Sequence, residues 1–129
     1  MRKKHWWILP VLAILVVLTL IALDERLTLR TYTVASPKLT AEVRLAVVTD
    51  FHSSDNADDV VAMVASCAPD AVLLVGDMFD DDIANRPTER TLSLMRQLSA
   101  LYPCYYVSGN HEAWTGEMDA LYQQTEEAG

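Results

Sequence analysis

Three short polar clusters in this sequence combine residue types that hold cations and move protons. They are Asp50-Phe51-His52, Gly76-Asp77-Met78-Phe79-Asp80 and Gly109-Asn110-His111-Glu112. Carboxylates brought close together repel one another, and a divalent cation is the natural compensation. The donors are carboxylate, imidazole and amide without thiolate, a set that suits Mn, Fe, Zn or Mg. Singly, each cluster has a bland explanation. Asp at a strand end caps the next helix, Gly-Asp is a common turn, and Asn-His beside Gly is a turn with a solvated imidazole. Three clusters in succession, each closing an apolar run, are not explained that way.

The elements that must position these clusters alternate along the chain. Residues 43–49 (VRLAVVT), 71–75 (AVLLV) and 104–107 (CYYV) read as short buried strands. Between them, 57–67 carries Val60, Met63, Val64 and Cys67 at helical spacing, and 88–101 places Leu94, Met95, Leu98 and Leu101 on one face. Pro69 and Pro103 stop these helices, and 115–124 reads as one more. The pattern is β-α-β-α-β, which predicts an α/β fold with a parallel sheet and crossover helices. Sites in such sheets form at the carboxyl ends of the strands, so the three clusters converge on one edge. Upstream, 29–34 (LRTYTV) reads as a further strand and Ser36-Pro37 as a turn.

The first part of the chain has a different character. Residues 6–23, WWILPVLAILVVLTLIAL, carry no charge and as a helix would span about 27 Å, close to a bilayer core of roughly 30 Å. Arg2, Lys3 and Lys4 precede the run, which predicts a cytoplasmic N-terminus and an extracytoplasmic remainder. A cleaved signal peptide is the competing reading; the run is longer than a usual signal core and no A-x-A site follows it. The expected layout is a cytoplasmic basic tail (1–5), a transmembrane anchor (6–23), a linker (24–28) and the α/β part (29–129). The net charge of −8 argues against a nucleic-acid partner bound through a basic surface, but not against phosphate chemistry at a metal-bearing site. Cys67 and Cys104 fit no zinc spacing and read as small core residues; a disulfide between them stays open for an exported domain.

The series D-x-H, G-D-x-x-D and G-N-H-E resembles the leading motifs of the calcineurin-like metallophosphoesterases. The gaps, 27 residues from Asp50 to Asp77 and 33 from Asp77 to Asn110, are of the size that family uses. The resemblance covers about residues 29–129 and implies a phosphoester substrate and two divalent metal ions. By position, it implies that Asp50 and His52 bind the first metal, Asp77 bridges both and Asn110 binds the second. It makes His111 the acid near the leaving group, oriented by Asp80. Glu112 matches the motif and is assigned no role beyond structure. Asp81 and Asp82 read as solvated loop charges.

The family continues with a lone His and then G-H-x-H, whereas the histidines here are His5, His52 and His111. The chain is therefore expected to be the N-terminal half of an α/β/β/α sandwich, preceded by one transmembrane helix, and to be inactive alone. A non-catalytic membrane-anchored domain is the alternative. A haloacid-dehalogenase-type phosphatase is set aside, because it needs an Asp where His52 stands. The anchor points to lipid-linked or envelope phosphates by proximity alone.

Overall fold

The computed structural model describes residues 6, 8–23 and 27–129. Two compact units divide the chain, Met1–Thr31 and Tyr32–Gly129. The expected basic tail and residues 24–26 of the expected linker lie outside the described residues.

In the first unit, helix α1 (Ile8–Ala22) occupies 15 residues of the apolar run. Pro10 falls in its first turn, where a missing backbone donor costs little. Every described side chain of α1 is exposed. At 1.5 Å per residue the helix is about 22 Å long. Among the described residues, no helix is long and apolar enough to cross a membrane.

The second unit is built on β1 (Leu45–Val48), β2 (Ala71–Val75) and β3 (Cys104–Val107). They form a parallel sheet in chain order, β1-β2-β3, with Val48 opposite Leu74 and Val75 opposite Val107. Helices α2 (Ala57–Ser66) and α3 (Thr88–Ser99) make the crossovers. Asp58 and Asp59 in the first turn of α2 favour its positive end, and Val60 and Val64, one turn apart, face the core. Ala68, in the left-handed region with φ 45°, and the following Pro69 turn the chain out of α2. Extended Pro87 precedes α3, which buries Leu92, Leu94, Met95 and Leu98.

The structure differs from expectation in three places. Leu101 lies past the end of α3 and is 58% exposed, so that face closes at Leu98. The helix expected at 115–124 forms as α5 (Met118–Ala128), starting three residues later, and a short helix not expected, α4 (Asn110–Trp114), precedes it across Gly116, φ 72°. Residues 29–34 are not a strand, since no described strand pairs with them. The Ser36-Pro37 turn does form, with Lys38 N–H on the Ser36 hydroxyl at 3.3 Å.

One face of the sheet packs Val72, Leu74, Ala46, Val48, Cys104 and Tyr106 into the core. The other carries Leu45, Val47, Val75, Tyr105 and Val107, each between 40% and 63% exposed. The sheet is thus apolar on both faces, as parallel sheets usually are. Both cysteines are free and half-buried, and burial pushes the Cys104 thiol up.

Leu94 is fully buried. Leu94→Ala is expected to lower the unfolding free energy by about 2–5 kcal/mol, and Leu101→Ala to change it by less than about 0.5 kcal/mol. Urea unfolding of the two variants beside the parent checks this.

Candidate metal centre

The loops leaving the three strands are tied to one another before any ligand is considered. Beyond the β1–β2 ladder, Asp50 N–H donates to the Gly76 carbonyl at 3.3 Å, His52 N–H to Asp77 at 3.0 Å and Ser53 N–H to Met78 at 3.0 Å. Buried Thr91 on α3 reinforces the junction. Its hydroxyl donates to the Met78 carbonyl at 2.8 Å and lies 3.0 Å from the buried Ser53 hydroxyl. Arg90 and Arg86 donate to the carbonyls of Ser53 and His52 at 3.3 and 3.1 Å.

This stitching holds several residues in the left-handed region: Asp50 (φ 56°), His52 (φ 49°), Ser53 (φ 46°) and Asp77 (φ 52°). Such a conformation costs of order 1–3 kcal/mol per non-glycine residue and concentrates at functional sites. Gly76 (φ 73°) shares the turn. Gly109 is needed for a different reason. A Cβ there would strike the Asp77 carboxylate and stand 2.6 Å from Asp77 N.

Within this frame, ligand atoms of His52, Asp77 and His111 all lie within 4.8 Å of one another. The two imidazoles meet edge to face, with ring centroids 4.3 Å apart. Asp77 Oδ1 accepts the His111 backbone N–H at 3.0 Å. The Asn110 amide sits against Asp77: its nitrogen, turned that way, donates to Oδ2 at 3.3 Å. Turned the other way, the amide oxygen faces the carboxylate oxygen, a pairing that a cation between them would satisfy. The donors and their spacing fit a hard or borderline divalent cation.

Asp50 is not part of this cluster. Its carboxylate is exposed and accepts the Thr49 hydroxyl at 2.7 Å. The carboxylates of the 80–82 loop are also distributed otherwise than expected. His111 Nδ1 is 2.7 Å from Asp81 Oδ1, while Asp80 faces His52 Nδ1 at 3.3 Å and Arg86 Nε at 3.8 Å. Asp80, Asp81 and His111 still form a second group with ligand atoms within 4.8 Å. Asp81 is therefore more than a solvated charge, although 44% of its side chain is exposed. Asp82 accepts from the Asn85 amide at 2.8 Å and stays in its loop.

Residues 43–128 match the family model of the calcineurin-like phosphoesterases. The chain belongs to this family. It is 27% identical over 90 residues to an uncharacterized metallophosphoesterase of Campylobacter jejuni, a stretch covering 66% of this chain and 24% of that protein. The chain thus spans about a quarter of the length of this curated relative. No solved structure matches it significantly.

Reading the sequence missed the Asp81–His111 pair, the Arg86 contacts with His52 and Asp80, and Trp114, whose exposed ring lies 4.8 Å from that of His111. Nothing local marks the first two. Helix α4 did have a signal, since Glu three residues after Gly109 is the N3 half of a capping box.

Gly109→Ala is expected to destabilise the chain by about 1–3 kcal/mol and to weaken binding of a divalent cation, because the added methyl displaces Asp77. Urea unfolding and calorimetric titration with Mn²⁺ check the two effects.

Proposed function

We propose that this chain contributes the first part of a dinuclear metal centre that hydrolyses phosphate mono- or diesters. The observation that carries the reading is the convergence of His52, Asp77 and His111 within 4.8 Å beyond adjacent parallel strands, in a family of phosphoesterases. In such a centre Asp50 and His52 would hold one cation, Asp77 would be shared and Asn110 would hold the other; Asp50 would have to turn from the Thr49 hydroxyl to take part. Divalent cations bound there supply the positive charge that polarises a phosphoryl oxygen and makes water a nucleophile at neutral pH.

The remaining steps fall to side chains. With Nδ1 of His111 donating to Asp81, the ring is held in one orientation and Nε2 is left to deliver a proton to the leaving oxygen. Asp80, 3.3 Å from His52 Nδ1, places a carboxylate beside the other imidazole. Mn, Fe, Zn and Mg all suit the donors.

We also propose that α1 and its flanking apolar residues anchor the chain as a single-pass segment. The N-terminus would lie in the cytoplasm and the site outside, within reach of lipid-linked phosphates. The uncharged helix with every described side chain exposed supports this, as do the three basic residues before it. A binding-only domain is the second reading, favoured by the Asp50 carboxylate standing apart from the cluster.

In the complete protein, Asp77→Asn should remove bound metal and phosphoesterase activity together. Asp81→Asn should keep the metal and lower turnover by less than the roughly 10²–10⁴-fold that a positioned proton donor contributes. Metal content and hydrolysis of p-nitrophenyl phosphate and its diester, measured on one preparation, check this. Equal losses in both variants would overturn the ligand assignment, and metal binding without turnover in the complete protein would favour the binding-only domain. For topology, a reporter that is active only outside the cytoplasm, fused after Gly129, should be active; a cytoplasmic signal would reverse the orientation.

A further inference from the structure

We infer that Glu112 is a positioning residue for the metal-binding carboxylate of Asp77. The inference rests on the proposed function, since it takes Asp77 as a ligand.

Glu112 is fully buried in the short helix α4. Its Oε2 accepts from Asp77 N–H at 3.1 Å and Gly109 N–H at 2.8 Å. Its Oε1 accepts from Met78 N–H at 2.7 Å and Phe79 N–H at 3.0 Å. An ionised carboxylate offers about four acceptor positions, so four backbone donors fill them and leave none for a cation. Glu112 is therefore not a ligand.

The contact is reciprocal. The side chain of Glu112 binds the backbone of the loop after β2, and the side chain of Asp77 binds the backbone of α4 through His111 N–H. That second bond engages Asp77 Oδ1, which leaves Oδ2 beside Asn110. Asp77 also holds a strained backbone, φ 52°. Without the Glu112 acceptor, three successive N–H groups lose their partner and the strain at Asp77 is no longer opposed. The peptide then relaxes and carries the carboxylate away. The Asp77 carbonyl moves with it, and that carbonyl accepts the His52 N–H. One substitution at Glu112 thus disturbs two metal-binding side chains that it does not touch.

The test compares Glu112→Gln with Leu94→Ala in the full chain in detergent micelles, using Mn²⁺ alone as the probe. Leu94→Ala destabilises the fold from the core and removes none of the hydrogen bonds that hold residues 77–79, so it reports what a merely structural loss does to affinity. The expected result is a Kd for Mn²⁺ about 10–100-fold weaker in Glu112→Gln and unchanged in Leu94→Ala. Amide exchange at Asp77, Met78, Phe79 and Gly109 should also be faster in Glu112→Gln alone. Equal Mn²⁺ affinity in the two variants overturns the inference. Should Glu112→Gln not fold, Glu112→Asp keeps the charge and draws the oxygens back by one methylene; unchanged affinity there overturns it equally. A parent chain that binds no Mn²⁺ sinks the metal-centre reading, and the inference with it.

Discussion

Backbone donors that leave a sheet must find new acceptors, and the loops after β2 and β3 find theirs in one side chain. The N–H groups of Asp77, Met78, Phe79 and Gly109 all point at the buried carboxylate of Glu112. Charge-assisted bonds of this kind are stronger than neutral ones, and leaving the donors unpaired in the interior would cost about 1–3 kcal/mol each. The arrangement settles much else. It keeps Gly109 so close to Asp77 that a methyl group would not fit. It starts α4, which directs His111 toward His52 and Asp81. Tyr106, below this junction, feels it too: burial, and then the nearby Glu112 carboxylate, push its phenol far above the usual range.

The loop after β1 is held by a different means. It has no carboxylate of its own to gather its amides and instead extends the backbone pairing onto residues 76–78, past the end of the ladder. Thr91 and the two arginines of the 86–90 segment close the remaining side. Left-handed backbone at Asp50, His52 and Asp77 is the result of these two attachments pulling toward each other. Strain of this kind persists only where surrounding bonds over-determine it. Here they come from elements whose own stability lies in an ordinary apolar core, Val72, Leu74, Phe79, Leu94 and Leu98.

Much of this was legible in the residues. Val72 and Leu74 share a face because strand side chains alternate, and AVLLV and CYYV occupy the strands read from them. Helices read from Val60 and Val64, and from Leu94 and Leu98, also form. Apolar period is a strong signal, and these segments bury enough of it to override local preferences. LRTYTV failed because composition indicates fitness for a pleated surface, whereas a strand exists only with a partner. At the site, convergence of the clusters followed from strand direction alone. Which carboxylate meets which imidazole did not, because Asp80 and Asp81 are adjacent and a small rotation of one loop exchanges their roles. Asp50 stood apart for a similar reason: its side-chain direction depends on a φ that no residue type announces.

Strand order here equals chain order: among the described strands β2 pairs with β1, made before it, and β3 with β2. Assembly can therefore proceed in the direction of synthesis, adding one crossover unit at a time without waiting for a distant partner. Each pairing still closes a long loop, from Leu45 to Ala71 and from Val72 to Cys104, as parallel strands with helical crossovers require. The kinetic consequence falls on Asp77. Its loop is made early, but the carboxylate that restrains it comes 35 residues later. Until Glu112 is in place, the N–H groups of residues 77–79 lack the acceptor that opposes the strain of the left-handed turn.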